Sequence, residues 1–451
     1  MSEILKSVGL DVGTTSTQLV VSELTVENRA SGFAVPEMEI TRREVLYRSP
    51  VHFTPLLSGE LVDGEKLRQM VEAEYRAAGI HRKSVDTGAV IITGETSRKE
   101  NARTVLDALS DLAGDFVVAT AGPDLESVLA AKGAGAVDYS AETGKTVLHM
   151  DIGGGTSNLA LIRGGTVVRT GCLNVGGRLI RFDENGVITY VAPGVKRLSG
   201  VSVGDRAEEK TLLRTAVQLA EALEAAAGRN PETIPDVLLT EEAESRWTAP
   251  EEGVTLSFSG GVADCIETER DWREFGDIGV LLGRAIRSSR LCSKDYMLGR
   301  ETIRATVIGA GCYSTQLSGS TVYCQNVQLP LKNLPVVNID GPEKIGESIS
   351  QQEGQSVLAW PGILSPSYGQ IKAAAKQLAA GAEGPLLLCL EQDMAKALGQ
   401  ALALELPKDA GILCIDRVRL REGSYLDIGC PTADAYPVVV KTLVLSDTQR
   451  R

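Results

Sequence analysis

Two short stretches of this chain place an aspartate beside a turn of small and hydroxyl-bearing residues. The chain reads DVGTTSTQL from Asp11 and DIGGGTSNL from Asp151. Each stretch follows an apolar, strand-like run and leads into another such run. A turn of small residues exposes successive backbone N–H groups, which can bind the oxygens of a phosphate. The two stretches therefore predict a pair of phosphate-binding turns.

The glycines and threonines of these turns are the candidate phosphate ligands. Glycine lets a phosphate approach the backbone because it has no Cβ, and the threonine hydroxyls add hydrogen-bond donors. The candidate residues are Gly13, Thr14, Thr15, Gly153, Gly154, Gly155 and Thr156. A third corner, formed by Ser259, Gly260 and Gly261, ends a strand-like run from 254 to 259. We expect this corner to contact the adenine and ribose of a nucleotide.

The aspartates Asp11 and Asp151 need a separate explanation, because a carboxylate repels a phosphate. They make sense if Mg²⁺ lies between them and the phosphates, since Mg²⁺ takes few carboxylates and keeps several waters. An acid at this place can also orient the water that attacks a γ-phosphate. We therefore predict that Asp11 and Asp151 bind the metal and act in catalysis, with ATP and Mg²⁺ as cofactors. A single such turn is more often a hairpin closed by an Asx turn. Its recurrence at a matching position, together with the third glycine corner, favours the nucleotide.

The same two stretches indicate how the chain is organised. Superposing them aligns Asp11 with Asp151 and Gln18 with Asn158, and internal repetition of this kind predicts architecture. We expect two related halves that face each other, followed by a separate α/β region. The expected divisions are 1–145 for the first half, 146–320 for the second half with an inserted subdomain at about 178–250, and 321–451 for the C-terminal region.

Strand-like and helix-like segments alternate along the chain, which favours layers of the α/β type. The expected strands cover 89–93, 116–120, 146–150, 254–259, 386–390, 411–415, 425–428 and 438–445. The expected helices cover 64–78, 98–111, 124–132, 207–226, 275–290 and 393–403. We also expect the apolar run from 306 to 311 to be a strand that ends in a glycine corner.

Composition limits the classes of function. The chain has 451 residues, a net charge of −13, 43% hydrophobic residues and 23% charged residues, as in an ordinary soluble protein of two or three domains. It has no basic stripe for nucleic acid or for an anionic membrane, and no apolar stretch long enough to span a bilayer. The eight cysteines include no C-x-x-C pair, so we expect free, buried thiols in a reducing cytoplasm.

Two further residues stand near the candidate turns. His149 comes two positions before Asp151, and we interpret it as a strand residue and not as a catalyst. Glu95 lies between an expected strand and the helix expected at 98–111. It can either cap that helix or reach the site, and the sequence leaves both alternatives open.

The motifs DVGTT at Asp11, DIGGGT at Asp151 and SGGV at Ser259 together resemble the phosphate-1, phosphate-2 and adenosine motifs of the actin, Hsp70 and sugar-kinase superfamily. This resemblance implies duplicated actin-like (ribonuclease H-like) ATPase halves that face a nucleotide cleft. The helices expected at 124–132 and 275–290 would be the superfamily's connecting helices. Hsp70-like chains often have a second acid where this chain has Asn158, so the resemblance does not identify the general base.

A narrower resemblance covers nearly the whole chain. The stretches VGLDVGTTSTQ from Val8, ITGETSRKENA from Ile92, AGPDLES from Ala121 and VIGAG from Val307 resemble the reactivating factors of ethanolamine ammonia-lyase. This resemblance implies a chaperone-like ATPase that uses ATP and Mg²⁺ to release damaged cobalamin from the lyase, so that intact adenosylcobalamin can bind. It also implies a cytoplasmic protein associated with an ethanolamine-utilisation microcompartment.

The expected partner is the lyase, not free cobalamin. Proteins that bind the cobalt of base-off cobalamin commonly use a DxHxxG motif, which is absent from this chain. We therefore expect no cobalamin ligation through its three histidines, His52, His81 and His149. Three alternatives stay open. A small-molecule kinase would share the nucleotide clamp but need an acceptor pocket, a filament protein would polymerise with ATP, and a scaffold with a decayed site would bind no nucleotide.

Overall fold

The computed structural model has the predicted α/β architecture. It describes residues 2–13, 16–29, 38–58, 61–81, 84–93, 117–120, 123–240, 247–250, 253–313, 315–318, 322–345, 355–382, 384–418, 420, 424–431 and 435–442. The predicted helix at 98–111 and the ambiguous Glu95 lie outside the described residues. So do the phosphate-ligand candidates Thr14 and Thr15.

The first part of the chain forms a mixed sheet with a helix beside it. In chain order its elements are β1 (Ser2–Val12), β2 (Ser16–Asn28), β3 (Met38–Arg48), β4 (His52–Phe53), β5 (Leu56–Ser58), β6 (Leu61–Val62), α1 (Gly64–Ala77), β7 (Thr87–Ile92) and β8 (Val117–Thr120). The main sheet has the order β3-β2-β1-β7-β8, and β4 adds to β2. Strand β2 is antiparallel to both β1 and β3, whereas β7 and β8 continue the sheet in parallel with β1.

The second part begins with two helices and builds a second sheet. Its elements are α2 (Pro123–Gly133), α3 (Ala136–Thr143), β9 (Val147–Ile152), β10 (Ser157–Arg163), β11 (Thr166–Leu173), β12 (Ile180–Phe182), β13 (Ile188–Val191), α4 (Pro193–Ser199), α5 (Glu209–Ala226), β14 (Thr255–Ser259), α6 (Gly279–Arg287), β15 (Tyr296–Leu298) and α7 (Ala305–Tyr313). Its main sheet has the order β11-β10-β9-β14-β15. The stretch from 178 to 250 contributes the small β12-β13 sheet and the buried face of α5 to the same core.

The two main sheets share one plan of strand order and direction. In both, a central strand has an antiparallel hairpin on one side and two parallel strands on the other. This arrangement is the one expected for an actin-like fold. In each sheet the candidate aspartate comes near the end of the central strand.

Two helices connect the sheets. Helix α2 packs against β9, β10 and β11, helix α7 packs against β1, β2 and β7, and the two helices pack on each other. Their approach is close: a Cβ at Gly309 would lie 2.1 Å from the Leu129 carbonyl oxygen, and a Cβ at Gly133 would lie 1.9 Å from that of Ala305. The connecting role expected for the helix at 275–290 therefore belongs instead to α7.

The prediction of a strand and glycine corner at 306–311 is wrong, because this run lies inside helix α7. The run is apolar and short, and such a run does not distinguish a buried strand from a buried helix. Its glycines serve helix packing and not a turn. A Cβ at Gly9 of β1 would lie 2.4 Å from the Val307 carbonyl oxygen and 2.8 Å from the Gly311 nitrogen, so small residues are needed on both sides.

The C-terminal region forms a sheet covered by two helices. Its elements are β16 (Thr315–Leu317), β17 (Tyr323–Gln325), β18 (Leu331–Asn338), β19 (Val357–Trp360), α8 (Tyr368–Ala380), β20 (Leu386–Leu390), α9 (Ala395–Glu405), β21 (Ile412–Ile415), β22 (Ser424–Ile428) and β23 (Pro437–Thr442). The sheet order is β16-β23-β22-β18-β19-β20-β21-β17. Strands β18 to β21 are parallel, with α8 and α9 as crossovers. The predicted division at 320/321 falls between β16 and β17.

The C-terminal sheet is attached to the first half. Strand β23 contacts β8, and β16 contacts β3. The hydroxyls of Thr87 at the start of β7 and Thr315 at the start of β16 are 2.9 Å apart, and both side chains are buried. A buried hydroxyl pair of this kind fixes the position of one sheet against the other, because neither group can turn to water.

Two further expectations need correction. The helix expected from 275 begins at Gly279, because the Asp277 carboxylate accepts a hydrogen bond from the Gly279 N–H at 2.8 Å and holds the preceding residues outside the helix. All eight cysteines are thiols outside any disulfide bond, but they are not all buried: Cys324 and Cys430 are exposed and Cys292 is half-buried.

Candidate functional site

The first turn closes directly after β1. The Gly13 N–H donates to the Ser16 carbonyl oxygen at 2.9 Å, so the chain reverses into β2. The Gly13 carbonyl oxygen accepts the Thr54 hydroxyl at 2.8 Å, which ties the turn to the segment after β4. Asp11 therefore lies one residue before the end of β1, next to a turn that is held by two hydrogen bonds at Gly13.

The second turn has the same closing hydrogen bond. The Gly153 N–H donates to the Thr156 carbonyl oxygen at 2.9 Å. The segment after β11 also supports this turn. The N–H groups of Gly177 and Arg178 donate to the carbonyl oxygens of Gly153 and Gly154 at 3.0 and 2.7 Å. This support was not predicted. Its sequence signal is the glycine pair 176–177 after β11.

Gly155 stands apart from its neighbours in the second turn. Among the residues that the structure describes, a Cβ at Gly155 would meet no atom within 4 Å, and its φ lies outside the left-handed region. Packing therefore does not explain the glycine at this position. An open space above the turn is what a phosphate would need if it approached the bare backbone.

In the third corner, backbone conformation and packing require glycine at position 260. Gly260 has a φ of 87°, and a Cβ there would lie 2.3 Å from the Ile152 carbonyl oxygen. Within the described ranges, a Cβ at Gly261 would meet the Ile303 side chain, at an ordinary 3.7 Å. Ser259 is fully buried, and its hydroxyl donates to Asp151. The corner thus supports the second turn directly, while its contact with adenosine stays a prediction.

The two aspartates are held by hydroxyl groups and carry raised pKa values. Asp11 accepts the Thr93 hydroxyl at 2.9 Å, and burial, with a smaller contribution from the Asp151 charge, raises its pKa to about 7. Burial raises the pKa of Asp151 to about 6, although hydrogen bonds from Ser259 and Thr306 oppose the shift. The two carboxylates thus lie in one poorly solvated environment in which their charges repel.

A third acid, Glu126 of α2, belongs to the same site and was missed from the sequence. It is half-buried and hydrogen-bonded to Asn158. Burial, followed by the charges of Asp11 and Asp151, raises the pKa of Glu126 well above its usual value. The sequence showed only an acid in the first turn of a helix, which is usually explained by the helix dipole. Only the packing of α2 between the sheets brings it to both aspartates.

The residues present fit a hydrated dication. Gln18 lies opposite Asp11, and Asn158 lies opposite Asp151, on the neighbouring strands. Both amides are buried, and their side-chain oxygens, Gln18 Oε1 and Asn158 Oδ1, have no hydrogen-bond partner within the described residues. Buried acceptors normally have a partner, and water around a cation would supply one. The described residues contain no group of three histidine, cysteine or acidic side chains that forms a metal cage, and Mg²⁺ commonly uses only one or two carboxylates.

His149 is a strand residue, as predicted, and it lies behind Asp151. Its ring is fully buried in β9, and burial lowers its pKa to about 3, so the ring is neutral. Its two nitrogens lie 3.0 Å from the Ser257 hydroxyl and 2.9 Å from the Ser259 hydroxyl. These contacts leave both nitrogens engaged within the sheet.

Comparison with known proteins identifies the family. Residues 3–446 match the family of the ethanolamine utilisation protein EutA. The chain is 39% identical to the ethanolamine ammonia-lyase reactivase EutA of Salmonella typhimurium, over 97% of this chain and 98% of that protein. The chain belongs to the EutA family. Its identity to the Escherichia coli protein of the same name is also 39%, over the same shares of the two chains.

Solved structures resemble the chain more distantly. A Ppx/GppA family member from Aquifex aeolicus covers 68% of this chain and 97% of its own, at 15% identity and a TM-score of 0.43. The ethanolamine utilisation protein EutJ from Carboxydothermus hydrogenoformans covers 68% of this chain and 88% of its own, at 16% identity and a TM-score of 0.35. At these scores the fold assignment rests on strand order and direction instead. Among the described residues of the EutA-family chain, no helix has the length and apolar character needed to cross a bilayer.

Proposed function

We propose that this chain is an ATP-dependent reactivating factor of ethanolamine ammonia-lyase. In this proposal it binds and hydrolyses ATP with Mg²⁺ and uses the cycle to release damaged cobalamin from the lyase, so that intact adenosylcobalamin can bind. The observation that carries the proposal is the convergence of Asp11, Asp151 and Glu126 between two sheets of the same strand plan. Membership of the EutA family, whose relatives are named as reactivases of this lyase, supplies the client.

The two turns and the third corner have separate roles in this proposal. Backbone N–H groups and hydroxyls of Gly13, Thr14, Thr15, Gly153, Gly154, Gly155 and Thr156 would bind the phosphates, and Ser259, Gly260 and Gly261 would line the adenosine side. Asp11 and Asp151 would hold Mg²⁺, with Gln18 and Asn158 accepting hydrogen bonds from the water around it. The ion would supply neutralising charge for the transferred phosphoryl group.

Glu126 is the residue we propose to act on the attacking water. Its raised pKa means that it accepts a proton more readily than an ordinary carboxylate. A hydrogen bond from Asn158 would orient the side chain. A general base must lie within reach of the reacting water, and the cleft between the two aspartates is where the phosphates would end. Glu126 would thus be the general base that the sequence did not identify, because this chain has Asn158 where Hsp70-like chains often have a second acid.

The packing suggests how hydrolysis would be passed to the client. Helix α2 packs on the sheet of the second half, helix α7 packs on the sheet of the first half, and the two helices meet at glycines. A change in the angle between the halves would therefore act at this contact. The C-terminal sheet is attached to the first half and would move with it. If the lyase binds one angle better than the other, the ATP cycle shifts it between open and closed forms.

The proposed setting follows from the family. We propose that the protein acts in the cytoplasm, associated with an ethanolamine-utilisation microcompartment, and that it works on the lyase without ligating cobalamin through its own histidines. In the described structure His149 is fully buried, and His52 Nε2 lies 2.7 Å from the Glu74 carboxylate. Neither of these two rings is free to reach a cobalt ion, whereas His81 is exposed.

The deciding experiment is recovery of inactivated ethanolamine ammonia-lyase. The lyase is first blocked with a non-functional cobalamin, then mixed with this protein, Mg²⁺, ATP and fresh adenosylcobalamin. We expect recovery that requires ATP and is lost in the Asp151→Asn variant. Recovery that is equally fast without ATP contradicts the proposal. ATP consumption without recovery would instead favour a small-molecule kinase, which a screen for phosphorylated acceptors would identify.

A further inference from the structure

Four polar side chains form two rows on one face of the second sheet. Strands β9 and β14 pair in parallel, with His149 opposite Ser257 and Asp151 opposite Ser259. Because side chains alternate along a strand, these four share a face. All four are buried, so their polar atoms must find partners within the protein or a bound ligand.

The hydrogen bonds among them have a defined direction. Ser259 donates its hydroxyl hydrogen to Asp151 Oδ1. A hydroxyl has only one hydrogen, so Ser259 Oγ must accept from His149 Nε2, which lies 2.9 Å away. The neutral ring then carries its hydrogen on Nε2, and Nδ1 accepts from the Ser257 hydroxyl at 3.0 Å. The order of donation therefore runs from Ser257 through His149 and Ser259 to Asp151.

We propose that His149 is a positioning residue, which acts through Ser259 to orient the Asp151 carboxylate and thereby sets the affinity of the site for Mg²⁺ with nucleotide. This inference rests on the nucleotide function proposed above. Asp151 Oδ1 is engaged by Ser259, and Oδ2 is only weakly restrained, 3.5 Å from the Thr306 hydroxyl. A carboxylate held at one oxygen presents the other in a fixed direction.

The same position in the first half shows that the fold does not require this arrangement. Gly9 precedes Asp11 by two residues, as His149 precedes Asp151. In the first half the space is taken by helix α7, since a Cβ at Gly9 would lie 2.4 Å from the Val307 carbonyl oxygen. A polar ring at this place is therefore a feature of the second half alone and calls for a role beyond filling space.

The first test reads the tautomer of His149 in the unliganded wild-type protein. The chain has only three histidines, so nitrogen NMR of the rings can be assigned with His52→Gln and His81→Gln variants. We expect one ring to be neutral with its hydrogen on Nε2, protected from exchange with water. A hydrogen on Nδ1 overturns the proposal, because His149 could not then donate to Ser259.

The second test measures Mg²⁺ affinity by titrating the ion into protein with ADP. We expect His149→Leu and Ser259→Ala each to weaken Mg²⁺ binding by about tenfold or more, and the double variant to be no worse than either. His149→Gln, whose amide N–H can donate to Ser259, should recover most of the loss. Ser257→Ala removes a bond on the side of the ring away from Asp151 and should have a smaller effect than Ser259→Ala.

The outcomes separate this inference from the proposed function. If the wild type shows no Mg²⁺-dependent ADP binding, the proposed function fails. If the wild type binds and His149→Leu binds equally well, the positioning role fails. ADP binding in EDTA and thermal unfolding of the ligand-free variants show whether a loss comes from misfolding, and the tautomer test decides the case if His149→Leu does not fold.

Discussion

In the first half Asp11 accepts a hydrogen bond from Thr93, and the position two residues before it is Gly9, against which α7 packs. In the second half Asp151 accepts a hydrogen bond from Ser259, and the matching position is His149, which bonds Ser259 in turn. Strand order, direction and the hydrogen bond that closes the turn are the same in both. The comparison teaches that the order and direction of the strands fix where each aspartate lies. The residues that contact the aspartate from the same face of the sheet can differ between the halves.

The two halves also differ in how their turns are supported. The first turn is tied at the Gly13 carbonyl oxygen by the Thr54 hydroxyl. The second is held by two backbone N–H groups, with the Arg178 side chain against Gly154 and Arg178 Nε 3.8 Å from Asp277. Because these supporting bonds are accepted by carbonyl oxygens of the turn, they do not use the N–H groups of Gly154 and Gly155, which suits phosphate binding.

The largest effect is expected from removing either aspartate. Asp11→Asn and Asp151→Asn should each lower the rate of ATP hydrolysis by about 100-fold or more, because each removes a charge proposed to hold the metal. Steady-state phosphate release measures the loss. Asp183→Asn, an exposed acid in a turn, serves as the control. If either variant hydrolysed ATP at the wild-type rate, that aspartate would not be needed to hold the metal, and the two halves would not be functionally equivalent.

Glu126 interacts with the aspartates of both halves, so its replacement tests the site that the two halves form together. Glu126→Gln should lower kcat by about 100-fold while nucleotide affinity stays close to wild type, because the change removes a base and keeps the shape. Hydrolysis assays paired with calorimetric ADP titration separate the two quantities. Glu142→Gln on the exposed face of α3 is the matched control. A parallel loss of ADP affinity would assign Glu126 to binding instead.

Two glycines of the second half should respond in opposite ways. Gly155→Ala should weaken nucleotide binding without changing stability, because a Cβ there meets no atom of the described part of the chain within 4 Å. Gly260→Ala should lower the free energy of unfolding by roughly 1–3 kcal/mol, because of its left-handed backbone and the close Ile152 oxygen. Urea unfolding and ADP titration of both variants check the pair. A destabilised Gly155→Ala would show that packing, and not a ligand, requires that glycine.

The smallest effect concerns the support of the second turn. Burial raises the pKa of Asp277 from 3.8 to about 6. A raised carboxyl pKa contributes stability that is complete below the unfolded value and is lost as pH rises through the folded value. The free energy of unfolding of the wild type, relative to Asp277→Asn, should therefore fall as pH rises from about 4 to about 7. Urea unfolding across this range measures it, and a constant difference would contradict the shift.

Much of the fold and half of the site could be predicted from local pattern. The turns at Gly13 and Gly153 close through bonds between residues three apart, and the strands of each hairpin adjoin in sequence, so short segments carry the information. The helix at 306–311 was mistaken for a strand because an apolar run shows only that it is buried. Glu126 was missed because its neighbours in sequence say nothing about which sheet its helix covers.

The sequence by itself determined the pair of aspartate-glycine turns, the α/β class and the family resemblance, because these depend on residues close together in the chain. Only the tertiary structure decided which side chains meet. Ser259 reaches Asp151 across 108 positions, Glu126 reaches Asn158 from a separate helix, and α7 returns from the second half to pack on the first. These contacts come from strand register and helix packing, which act between distant segments and leave no mark in the local pattern.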